Sequence, residues 1–155
     1  MSGSGNTKAG DGKKETRLIG IVQCDIAKER CSGFACINSF DKRIDAFEGY
    51  GVGIMAVPFN CGGGAGRRVG RSAAHLARVA ARKTDIKKEE IVIHLSSCIV
   101  TDNGHYPPCP HLDNILEILR RQGFRVRKGS YKSKTASKRR EEGRYEDFDW
   151  NGEEF

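Results

Sequence analysis

An α/β fold, with about four parallel strands covered by helices, is predicted by three observations. Short apolar runs of strand length alternate with helical apolar stripes along most of the chain. Glycine- and proline-rich breaks separate them. Three of the runs lead directly into a cysteine: Cys24, Cys61 and Cys98. In a parallel sheet the C-terminal ends of neighbouring strands share an edge. Loops leaving that edge meet in one crevice, where open α/β sheets place ligands.

Each element has its own justification. Leu18–Gln23 is an apolar run suited to a buried strand. Cys24–Ala35 is polar and charged and reads as a loop. Asn38 or Ser39 can cap a short helix through Phe47, with Ile44 and Phe47 on its inner face and Gly49 ending it. Val52–Phe59 is the second strand, and Pro58 marks where its pairing stops. Cys61–Gly66 is a glycine-rich turn into a helix over Arg67–Arg82, whose stripe is Val69, Ala73, Leu76, Ala77 and Ala80. Glu90–Ser96 is the third strand, and Cys98–Pro108 a long loop. Pro110 stands where proline starts helices, and Leu112, Ile115, Leu116, Ile118 and Leu119 carry that helix to Gln122. Gly123 stops it, and Phe124–Arg127 forms a fourth strand. The order β-α-β-α-β-α-β with right-handed crossovers gives a small three-layer domain, Rossmann-like or flavodoxin-like, over residues 17–128.

Length and composition bound the rest. The chain has 155 residues, room for one ordinary domain, and 37% hydrophobic residues, so part of it is expected outside the core. Residues 1–16 are rich in Gly, Ser and Lys and read as a disordered tail without the apolar core of a secretory signal. No apolar run is long enough to span a membrane. The expectation is a cytoplasmic protein with no membrane partner. The net charge of +7 is uneven: residues 120–144 carry +9 and residues 145–155 carry −5. Residues 129–155 therefore read as a basic, then acidic, appendage. Its basic part can hold an acidic protein or nucleic acid by charge, and its acidic end can fold back on it.

Six cysteines without a secretory signal argue for metal binding or thiol chemistry over a disulfide framework. Buried, inert cysteine explains one or two of them, but Cys31, Cys61 and Cys109 lie among Gly, Pro, Ser and charged residues. In Cys61-Gly62-Gly63-Gly64-Ala65-Gly66-Arg67, glycines let several backbone N–H groups point at one spot. The following helix turns its positive end there, and a Cys61 thiolate is expected to be favoured. Gly62, Gly63, Gly64 and Gly66 form a possible anion loop. The Cys-x5-Arg spacing matches cysteine phosphatases and some arsenate reductases, with Arg68 where those loops carry a hydroxyl residue. Cys109-Pro110-His111 places a thiol and an imidazole at a helix start, a zinc-type pair, and His105 in the loop before can join it. Cys31 and Cys36, four residues apart, match no standard zinc or ferredoxin spacing but can fold over the strand edge. His94, inside an apolar strand, reads first as a hydrogen-bonded core histidine and second as a ligand. His75, beside Arg71 and Arg78 on a helix, reads as a surface or interface residue.

The succession Ile-Val-Gln-Cys24, Cys31-Ser-Gly…Cys36, Cys61-Gly-Gly-Gly-Ala-Gly-Arg67, Ser96-Ser-Cys98 and Cys109-Pro-His111 resembles the CGGC-domain proteins of anaerobic bacteria and archaea. The likeness runs over about residues 18–128. It implies a Cys/His metal site. One departure stands out: the motif that names the family reads Cys61-Gly62-Gly63-Gly64 here, so its second thiol is absent. A redox disulfide between positions 61 and 64 is therefore impossible.

The leading expectation is a metal site at the C-terminal strand edge, with Cys24, Cys61, Cys98, Cys109 and His111 as first ligands and Cys31, Cys36 and His105 as further candidates. Zinc suits a mixed Cys/His set, and an iron–sulfur cluster suits four thiolates. A second expectation is a thiol enzyme with Cys61 as nucleophile, Arg67 holding the oxyanion and Cys98 or Cys109 as resolving thiol. A third is an interaction module using residues 120–144.

Overall fold

The computed structural model describes residues 9–102, 107–150 and 154. Strands β1 (Leu18–Gln23), β2 (Met55–Asn60), β3 (Ile91–Leu95) and β4 (Arg125–Lys128) form one sheet in the order β2-β1-β3-β4. Every pairing is parallel, with Ile19 beside Ala56 on one side and Val92 on the other. The fold is the predicted α/β type.

Side-chain alternation sets the layers. On one face, Leu18, Val22, Ile91, Ile93 and Val126 pack with helices α3 (Arg67–Lys83) and α5 (Leu112–Arg121) through Val69, Ala73, Ala80, Ile115 and Leu119. On the other, Ile19 and Ile21 pack with Phe40 of helix α2 (Phe34–Lys42) and with Phe47 and Tyr50. Phe40 meets Phe47 edge-on at 5.6 Å, a favourable arrangement for rings.

Several boundaries differ from the expected ones, each for a local reason. Helix α2 starts at Phe34 because Gly33 takes a left-handed turn there, and the Ser32 hydroxyl accepts the Phe34 N–H at 3.2 Å. It stops at Lys42, where Arg43 adopts φ 54° and its guanidinium stacks on Phe40 and donates to the carbonyls of Phe40 and Gly51. Asp45–Phe47 is a separate 3-10 turn. Strand β2 begins at Met55, since Val52 and Gly53 lie in an exposed turn. The loop after β3 opens with a short helix α4 (Ser97–Val100).

The flanking segments are held to the domain. Helix α1 (Ala9–Lys14) lies within the stretch expected as a disordered tail, and the buried Lys13 ammonium donates to the Ala46 carbonyl at 3.1 Å. Residues 1–8 are outside the described residues. Helix α6 (Lys134–Glu141) is capped by Ser133, whose hydroxyl accepts the Ala136 N–H. Beyond it, Glu146 N–H donates to Asp102, Phe148 packs against Trp150, and Glu154 bridges Arg125 and Arg127 at 2.8 Å each. The acidic end therefore does turn back, onto the arginines of β4. No described helix is long and apolar enough to cross a membrane.

Candidate functional site

The sheet ladder continues past the strand ends and aligns the loops there. Cys61 N–H donates to Gln23 at 2.9 Å, Ser96 N–H to Val22 at 2.9 Å, and Gly129 N–H to Leu95 at 2.7 Å. Cys24, Cys61, Ser96 and Ser130 consequently leave one edge side by side.

Cys98 lies in α4, just past the end of β3. Its sulfur is 3.0 Å from the Ser96 hydroxyl, and the Cys24 backbone amide is directed at it. Burial pushes its pKa up to about 11, and the neighbouring sulfurs of Cys24 and Cys36 push the same way as like charges. Cys36 comes from α2 on the far side, with its sulfur 3.0 Å from the Ser130 hydroxyl. Burial raises its pKa too, against hydrogen bonds from Ser130 and Gln23, while Cys31 acts on it as a further like charge. Cys31 is exposed, and its sulfur accepts from Gly33 N–H at 3.4 Å. The three segments carrying Cys24, Cys36 and Cys98 are thus brought together, with Cys31 at their rim. None of the six cysteines is in a disulfide.

Cys61 is buried beside this group. Its sulfur accepts from Asp25 N–H at 3.3 Å and Gly63 N–H at 3.4 Å, so the residue after Cys24 contacts it directly. Cys24's own sulfur accepts from Ala27 N–H at 3.5 Å. Cys109 packs on the same apolar cluster as Cys24 and Cys61, and its sulfur accepts from His111 N–H at 3.4 Å. His111 is exposed at the start of α5. His105 lies outside the described residues. His94 is fully buried and hydrogen-bonded on both ring nitrogens, which makes it the core histidine its apolar strand implied.

The glycine-rich turn has a mixed character. Gly62 and Gly63 take φ of 77° and 76°, and Gly66 begins α3. Arg67 is exposed, and it is Arg68 whose side chain lies over Gly62. An Asp25 carboxylate oxygen stands 3.8 Å from where a Gly63 side chain would begin, held by Asn60 at 3.4 Å. A carboxylate there opposes an oxyanion in the turn. Position 64 differs from its neighbours: it has no positive φ, and a Cβ added there meets nothing within 4 Å. Gly64→Cys is therefore expected to change stability by less than about 0.5 kcal/mol, as an open surface substitution does. Gly62→Ala, forced into left-handed backbone against Arg68, should lose about 1–2 kcal/mol. Urea unfolding of the two variants checks the contrast.

Among the described residues, no group of three or more His, Cys, Asp or Glu side chains already converges on one point as a metal site does. The donor chemistry nevertheless suits a thiophilic metal, since thiols from three separate segments lie in one neighbourhood: the Cys24 amide is directed at the Cys98 sulfur, and Ser130 meets both the Ser97 N–H and the Cys36 sulfur at 3.0 Å. Sequence reasoning placed Cys36 among the weaker candidates, because its place on α2 depends on the early helix start at Gly33. It missed Ser130 altogether. The rule that singled out the cysteines, a reactive residue just past a strand end, applies equally to β4 and leads to Gly129-Ser130.

In comparison with known proteins, the chain matches the family described as CGGC domain over residues 18–131. No curated protein and no solved structure gives a match.

Proposed function

The chain belongs to the CGGC-domain family, and from that premise we propose that it binds a metal, as a zinc ion or an iron–sulfur cluster, on thiolates at the C-terminal edge of its sheet. The observation that carries this reading is the gathering of three segments at one edge: the Cys24 amide is directed at the Cys98 sulfur, and Ser130 joins the Ser97 N–H to the Cys36 sulfur at 3.0 Å each. Cys24, Cys36 and Cys98 are the central donors. Cys61, whose sulfur accepts from the Asp25 N–H beside Cys24, and the exposed Cys31 are further candidate sulfurs. Cys109 and His111 are the outer candidates.

The physical argument concerns protons. Metal ligands must be thiolates, and burial of neighbouring thiols disfavours the charged form. Cys36 and Cys98 therefore keep their protons until a cation arrives to offset the charge. Backbone N–H groups of Asp25, Ala27, Gly33 and Gly63 already point at the sulfurs of Cys61, Cys24 and Cys31. Such donors support sulfur ligands around a centre. A bound ion would tie β1, α2 and α4 together and, with an open coordination position, would supply Lewis-acid chemistry.

The second reading, a thiol enzyme using Cys61, draws on the two amides that meet its sulfur. The exposed Arg67 and the Asp25 carboxylate count against an oxyanion there.

Metal analysis of protein purified without oxygen tests the proposal. Zinc or iron at or above about one equivalent per chain is expected for the native protein, with loss in Cys24→Ala and Cys98→Ala. Less than about a tenth of an equivalent of any transition metal would overturn it. Retained metal in both variants would move the site away from this edge.

A further inference from the structure

The summed charge of the α/β domain hides a strong local asymmetry. Residues 18–119 carry a net +1, yet α3 alone holds five arginines and one lysine and no acidic residue. Arg67, Arg71, His75, Arg78 and Arg82 follow one another at helical spacing, and all five are exposed. At 3.6 residues per turn they occupy one stripe about 22 Å long. Val69, Ala73 and Ala80 on the opposite side are buried in the core. None of the stripe arginines forms an ion pair with a carboxylate among the described residues. The nearest acid in sequence, Asp85, is taken by Arg17 at 3.0 Å.

A groove runs beside this stripe. Strand β2 is one of the two edge strands of the sheet, and its Val57 and Phe59 line, with Leu76 of α3, an open hollow of about 310 Å³. Arg71, Ser72 and His75 form the polar rim. An apolar, partly aromatic floor with cations along one side is the combination that binds unpaired nucleotides: the floor stacks a base, and the cations track the phosphates. In a duplex the bases are stacked on each other and cannot enter. A membrane surface would need a broad exposed apolar face, and here the apolar side of α3 is packed in the core, leaving only the narrow groove beside the cations.

We propose that α3 and β2 form a binding surface for single-stranded nucleic acid, with the arginine stripe holding phosphates and the groove taking a base against Phe59. This surface is separate from the thiol edge and does not depend on a metal there. It also relocates the polyanion contact from the C-terminal basic segment, where Glu154 occupies Arg125 and Arg127.

The test uses the full chain and a fluorescent oligothymidine of about 20 nucleotides, titrated between about 50 and 200 mM salt. Four phosphate contacts give a slope of log K against log salt near −3, about sixtyfold weaker binding across that range. The double variant Arg71→Gln/Arg78→Gln, both exposed and so expected to fold, should bring the slope near −1.5. Phe59→Leu keeps apolar bulk without the aromatic face and should weaken binding about fivefold. Lys134→Gln/Lys138→Gln on α6 should leave binding unchanged. Circular dichroism verifies that each variant is folded. Binding indifferent to the α3 substitutions, lost on the α6 substitutions, or equally tight to a duplex and insensitive to Phe59→Leu overturns the proposal.

Discussion

Acidification from pH 6.5 to 4.5 is expected to remove about 2–3 kcal/mol of stability through a single residue, His94. His94 is fully buried in β3, with Nδ1 at 2.9 Å from the Gly129 carbonyl and Nε2 at 2.6 Å from the Tyr50 hydroxyl. A carbonyl only accepts, so Nδ1 carries the hydrogen and Nε2 accepts from Tyr50. The ring is neutral, packed at 4.6 Å from Phe47. Burial pushes its pKa down to about 3; the Gly129 carbonyl opposes this, and the charges of Lys13 and Arg127 reinforce it. In the unfolded chain the same imidazole titrates near 6.5. Below that value the unfolded state takes a proton that the folded state refuses, so stability present above pH 6.5 is lost as pH falls. The carboxylates held below their usual range, Asp85, Glu117 and Glu154, begin to add to the loss only at the acid end of this window, as pH nears their unfolded values of about 4. Urea unfolding at the two pH values measures the total loss, and the comparison with a variant isolates the histidine's share. His94→Gln, which keeps a donor and an acceptor without a titratable ring, should flatten the difference. An unchanged difference in that variant would sink this account.

Metal loading is the second large effect. A ligand that binds only the folded chain stabilises it by about 4 kcal/mol when its free concentration is a thousandfold above Kd. The proposed site joins the end of β1, α2 and α4, so thermal unfolding of the loaded protein should fall steeply on adding a chelator. The drop should be absent in Cys98→Ala, which lacks one of the three proposed donors. Binding should also strengthen with pH, by about tenfold per unit for each thiol proton released. A chelator without effect on the melting of native protein would contradict a site at this edge.

The parts of the fold that were legible in the sequence are those fixed by local pattern. Leu18–Gln23 and Ile91–Leu95 are buried on both faces and read as continuous apolar runs. Helix α3 announces itself by the turn before it and the stripe within it. Helix α2 was misplaced because its start depends on a left-handed Gly33 and its end on Arg43 folding over Phe40. Neither follows from apolar spacing. Helix α1 was hidden for a similar reason: Lys13 buries against carbonyls thirty residues away, and no local signal announces that.

The site divides in the same way. Parallel strands made it predictable that Cys24, Cys61 and Cys98 leave one edge, since each stands just past a strand. That Cys36 comes to the same edge, with its sulfur on the Ser130 hydroxyl, required the packing of α2 over the sheet. His111, expected as a ligand from its spacing to Cys109, stands exposed at the start of α5 and remains an outer candidate.

X-ray absorption at the metal edge of anaerobically purified protein tests the central claim most directly. A shell of three or four sulfur scatterers at about 2.3 Å, diminished or lost in Cys98→Ala, is the expected result. A shell of nitrogen and oxygen alone, near 2.0–2.1 Å and the same in that variant, would contradict it.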